Sequence, residues 1–140
     1  MRQILLFAAL AASLALLIGC GAAKDKPEAA KDMPDKAAYH KISAEEAYEM
    51  IASQEVVVVD VRTREEYDGG HIENAVLVPN ESIGSEMPDA LPDKEATLLV
   101  YCRSGRRSKD AAQKLLALGY QSVYDFGGVI DWPYELVKEG

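Results

Sequence analysis

Apolar positions along the chain fall into three regimes. The first is a block: Ile4 to Ile18 carries a single polar side chain, Ser13. The second, Gly21 to about Lys36, is rich in Ala, Lys, Asp and Glu, is broken by Pro27 and Pro34, and has no apolar period able to pack. The third, from about Ala37 onward, alternates helical and strand periods. Ser43 and Glu46 form a capping-box pattern ahead of Ala44, Ala47, Tyr48 and Ile51, whose three- and four-residue spacing predicts a helix. Val56 to Val61, interrupted only by Asp60, is a β-branched run of the kind buried on both faces of a parallel sheet. Thr63 and Glu66 repeat the capping box for a short helix that closes near Gly69 and Gly70. Ala75 to Val78, Thr97 to Tyr101 and Ser122 to Phe126 read as further strands, and Tyr39 to Ile42 as a small opening one. Arg107 to Leu118 reads as a helix stopped by Gly119, and Val129 to Val137 as a final helix that tolerates Pro133 near its first turn. Strand and helix in alternation predict a three-layer α/β domain, with a mainly parallel central sheet flanked by helices.

The opening block has Arg2 before it and Gly19-Cys20 after it. A positive start, an apolar core of 15 residues and a small residue before a cut predict an export signal over residues 1–19. The run is short for a bilayer span, which requires about 20 apolar residues. Leu17-Ile18-Gly19-Cys20 resembles the lipobox of bacterial lipoproteins, in which the cysteine is acylated on sulfur and becomes the mature N-terminus. That resemblance implies lipidation at Cys20, a flexible tether over residues 20–36, and a head over residues 37–140 held outside the cytoplasm at a bacterial membrane. Each buried acyl CH2 contributes about 0.8 kcal/mol to such anchoring.

Charge and cysteine count narrow the function of the head. The 140 residues carry a net charge of -8, and losing Arg2 with the leader makes it more negative, which excludes a general nucleic-acid binder. Two cysteines, Cys20 and Cys102, are too few for a disulfide scaffold. If lipid consumes Cys20, Cys102 has no partner within the chain. The histidines, His40 and His71, with one free thiol do not build a zinc site, so no metal or cofactor is expected. A domain of this size can work as a monomer.

Cys102 ends the strand Leu98-Leu99-Val100-Tyr101 and opens the run Cys102-Arg103-Ser104-Gly105-Arg106-Arg107-Ser108. Ligands of parallel α/β sheets gather at the carboxyl ends of strands, where this thiol lies. Gly105 permits a tight backbone turn, and amides of such a turn, together with a helix N-terminus, favour negative charge. Three arginines add positive potential, so the thiolate is favoured and Cys102 is a nucleophile candidate. A buried structural cysteine would give no reason for that cluster of cations.

Four motifs together resemble a single-domain rhodanese. They are Val58-Val59-Asp60-Val61-Arg62 with Glu65-Glu66-Tyr67; Gly70-His71-Ile72 with Asn74-Ala75; Tyr101 to Ser108; and Gly127-Gly128-Val129-Ile130-Asp131-Trp132. The resemblance implies sulfurtransferase chemistry, in which Cys102 takes the outer sulfur of a donor such as thiosulfate as a persulfide and passes it to cyanide or a thiol. Arg103, Ser104, Gly105, Arg106 and Arg107 would then cradle the donor. Spacing leaves open which arginine meets the donor's sulfonate; Arg103 and Arg107 are favoured. Asp60 and Arg62 are expected as a structural ion pair, His71 as part of a hydrogen-bonded turn, and Trp132 as packing against the sheet. The alternatives are a non-catalytic rhodanese-like binding module and a phosphatase or arsenate reductase. The latter two need an arginine where this chain has Ser108, in a loop one residue longer.

Overall fold

The computed structural model describes residues 37–139; the expected leader, Cys20 and the expected tether lie outside the described residues. Five strands, β1 (Ala38–Lys41), β2 (Val57–Asp60), β3 (Val76–Leu77), β4 (Thr97–Cys102) and β5 (Ser122–Gly128), form a sheet in the order β1-β5-β4-β2-β3. Every pairing in it is parallel. The helices are α1 (Ala44–Ser53), α2 (Arg64–Asp68) and α3 (Arg106–Ala117). The expected α/β architecture, a parallel sheet flanked by helices, is the one observed.

Strand alternation divides the core between the two faces. Along β4, Leu98, Val100 and Cys102 pack with Ala111, Ala112 and Leu115 of α3, whereas Leu99 and Tyr101 pack with Ala44 and Ala47 of α1 and Tyr67 of α2. The period of two therefore sends the Cys102 side chain to the α3 face. Both capping boxes are closed: Ser43 Oγ accepts from the Glu46 amide at 3.1 Å, and Thr63 Oγ1 from the Glu66 amide at 3.3 Å. Each glutamate returns the bond to its cap's own amide, at 2.8 and 3.1 Å.

Three boundaries differ from expectation in ways that shape the site. β4 extends to Cys102, β5 extends to Gly128, and α3 begins at Arg106, so the connection between β4 and α3 is the short turn Arg103 to Gly105. The expected helix from Val129 to Val137 is absent. A single 3-10 turn, Val129–Asp131, is followed by extended backbone at Trp132 (φ -79°, ψ 111°). Pro133 is the cause, because its ring disfavours helical backbone in the residue before it. Val137 instead pairs with His71, exchanging amide hydrogen bonds of 2.8 and 2.9 Å.

Candidate active site

Cys102 is the last residue of the central strand β4, between β5 and β2, and is 1% exposed. The chain runs outward through β2 and β3 and then returns to build β4 and β5 on the other side of β2. Such a reversal leaves a crevice at the carboxyl edge of the sheet, and the turn after β4 occupies it. Gly105 closes the turn with φ +99°, backbone that a side chain would strain, and serves as the cap of α3. Its amide donates to Cys102 Sγ at 3.0 Å. The first amides of α3 have no partners within the helix, and that of Ser108 bonds the same sulfur.

These donors decide the ionisation of the thiol. Burial opposes the thiolate, but bonds from the Ser108 and Gly105 amides, with Ser104 contributing, outweigh it and hold the Cys102 pKa below its ordinary value. The Ser108 hydroxyl lies close by, yet its one proton has a nearer claimant: Asp125 Oδ1 at 2.7 Å. Charge on the sulfur therefore rests on backbone amides, which need no reorganisation when it develops.

Asp125 and Ser108 brace this arrangement from beneath. Ser108 is wholly buried and also touches Gly105 O at 3.0 Å. Asp125, equally buried, accepts from Tyr39 Oη at 2.7 Å and the Gly127 amide at 2.8 Å, and pairs with Lys41 Nζ at 3.3 Å. Burial and the Asp125 bond push the Tyr39 hydroxyl up to about 12. A bulge in β5 makes these contacts possible: Val100 pairs with Asp125, but the next pair is Tyr101 with Gly127. The slip places Gly128 opposite Cys102. There a Cβ would collide with Arg103 O and come within 2.7 Å of Ser104 Cα. Gly128→Ala is accordingly expected to push the turn off its position. Any activity that depends on Cys102 should then fall by up to about a hundredfold, as displacement of a reacting group by an ångström allows; assay of the folded variant beside the native protein checks it.

The expected site residues divide into groups. Arg103, Ser104, Gly105, Arg106 and Arg107 all surround Cys102 in the turn and the first turn of α3, with Arg103, Ser104 and Arg106 exposed. Arg107 is not open to solvent in the same way: it forms a two-pronged pair with Glu66 of α2, both contacts at 2.8 Å. That pair pulls the Glu66 carboxyl down to about 2. Asp60 and Arg62 form a buried ion pair at 2.6 Å beside the turn, and Tyr101 Oη donates to the same carboxylate at 2.7 Å. Burial opposes the charge on Arg62, but Asp60 outweighs it. Tyr101 is raised above its ordinary value by burial and by Asp60. His71 stacks on Tyr67 with ring centroids 3.6 Å apart and places Nδ1 2.9 Å from Tyr67 O. Trp132 packs with Phe126 and Tyr134 on the sheet face away from Cys102, its indole N–H buried without a partner.

A family model described as a rhodanese-like domain matches residues 43–133, which include every one of these elements from α1 to Trp132. The chain belongs to the rhodanese-like domain family. A rhodanese-related protein from Thermoplasma volcanium superimposes with a TM-score of 0.63 at 30% identity, covering 72% of this chain and 100% of that one. A human single-domain sulfurtransferase superimposes with a TM-score of 0.60 at 28% identity, covering 66% of this chain and 93% of the other. The tRNA uridine(34) hydroxylase of Yersinia pestis is 32% identical over 106 residues, which is 72% of this chain. This chain spans 30% of the length of that relative. Members of the family thus serve different overall functions.

Within this rhodanese-like domain, sequence reasoning missed the roles of Ser108, Asp125, Glu66 and Gly128. Ser108 carried a signal: it shares a helix stripe with Ala111, Ala112 and Leu115, so a polar side chain was destined for the core. Asp125 likewise interrupts the apolar run of β5. Buried polar groups need partners, and here the two satisfy each other.

Proposed function

We propose that this domain is a sulfurtransferase that carries a sulfane sulfur on Cys102. The observation that carries the reading is the Gly105 amide 3.0 Å from Cys102 Sγ, in a turn at the N-terminus of α3 flanked by arginines. The thiolate attacks the outer sulfur of thiosulfate; the Cys102–sulfur bond forms, the donor's sulfur–sulfur bond breaks, and sulfite leaves with the bonding pair. An acceptor such as cyanide or a thiol then takes the outer sulfur and returns the thiolate. No proton-transfer base is required, and no outside oxidant or reductant. What the protein supplies is a fixed set of donors for the charge on sulfur.

The shape of the turn argues against oxyanion chemistry. Six residues beyond Cys102, where a phosphate-binding arginine would stand, Ser108 turns inward to Asp125. The leader adds a location to this proposal: acylated at Cys20, the domain would act at a membrane surface outside the cytoplasm. One intact-mass spectrum of the full chain checks both parts. Thiosulfate is expected to add a single sulfur that cyanide removes, and acylation to appear on Cys20. Absence of the sulfur adduct, with partner binding retained, would establish the non-catalytic module instead.

A further inference from the structure

Arg107 stands in the first turn of α3, five residues beyond Cys102, and its guanidinium is held charged chiefly by Glu66, with Cys102 adding to it. The fork of that guanidinium is already filled. Both Nη atoms donate to Glu66 at 2.8 Å, and the same carboxylate accepts from the Thr63 amide at 3.1 Å and hydroxyl at 3.2 Å. The capping box of α2 thus holds Glu66 in place for Arg107. Side-chain exposures of 23% for Arg107 and 27% for Glu66 leave the pair partly shielded from counter-ions. Three further carboxylates stand near the turn: Glu65 lines the opening beside Arg103, and Glu81 and Asp110 the one beside Arg106.

We propose that Glu66 is a specificity-determining residue for the sulfur donor, disfavouring dianions such as thiosulfate against sulfane donors that carry one negative charge or none. The inference rests on the sulfurtransferase reading and names its donor class. A sulfonate seeking Arg107 must displace a carboxylate that already meets the fork in two places. A donor bound instead by Arg103 still faces the Glu66 carboxylate, which lines the same opening. Each added negative charge on the donor is disfavoured by about fivefold in binding, the worth of one unit pair at contact distance in water.

Thiosulfate and methanethiosulfonate separate charge from chemistry. Both yield the same persulfide on Cys102; sulfite leaves from the first and methanesulfinate from the second, each with the electron pair of the broken sulfur–sulfur bond. The experiment measures KM for persulfide formation with both donors, on the full chain and on Glu66→Gln. Glutamine at this position preserves the capping box while removing the charge. In the native protein the KM for thiosulfate should exceed that for methanethiosulfonate, and Glu66→Gln should shrink the ratio about fivefold. A native preference for thiosulfate overturns the proposal even if the variant does not fold. A ratio unchanged by the substitution overturns it as well, while leaving sulfur transfer intact. Persulfide from neither donor in the native protein overturns the sulfurtransferase reading and this inference together.

Discussion

Cys102→Ser is expected to reduce thiocyanate formation from thiosulfate and cyanide to the rate without protein. Every contact that favours the sulfur anion, from the Gly105 amide at 3.0 Å to the N-terminus of α3, is useless to a hydroxyl that does not ionise near neutral pH. The fold should survive the exchange. Cys102 is a small side chain at the end of β4, 1% exposed, and serine places its oxygen among the same amide donors. The cost in stability should stay within about 1–2 kcal/mol, the lower range for burying a hydroxyl that finds a partner. Thermal unfolding of the variant checks that half of the expectation, and the colorimetric thiocyanate assay the other. Undiminished turnover in a folded serine variant would remove Cys102 from the mechanism.

Asp60→Ala should produce the largest loss of stability. Asp60 is wholly buried and meets Arg62 at 2.6 Å, the Arg62 amide at 2.9 Å and Tyr101 Oη at 2.7 Å. Its removal strands a buried guanidinium, whose remaining bond of 2.8 Å to Gly70 O does not offset the lost charge. Breaking such a pair from one side costs about 3–5 kcal/mol, a large share of the roughly 5–15 kcal/mol that holds a domain together. Urea unfolding measures it. A double variant, Asp60→Ala with Arg62→Met, should be less destabilised than Asp60→Ala alone, because no unpaired charge then remains inside. Equal stability of the single and double variants would show that the lost charge pairing is not the source.

The two capping boxes were legible in the sequence because their partners are three residues apart and the geometry of a helix start is local. The strands were legible through β-branched runs, and Cys102 through its place between an apolar run and a helical one. The tail after Val129 misled, since its apolar spacing suits a helix while Pro133 and the pairing of Val137 with His71 draw it straight. The bulge between Asp125 and Gly127 was not read from the residue pattern, although Asp125 breaks the apolar run of β5 and a glycine follows, and the role of Gly128 depends on it.

The sequence by itself determined the strands and α-helices as far as β5, their alternation, and a thiol poised where a strand hands over to a helix, because those depend on side-chain period, caps and turn residues within a few positions of one another. Tertiary structure alone decided what surrounds the sulfur. Glu66 reaches Arg107 across 41 residues, and Asp125 meets Ser108 across 17. Gly128 leaves room for the Arg103 carbonyl of the turn that follows the neighbouring strand. Such contacts depend on sheet order and register, and those are settled only when both faces of the sheet are buried at once.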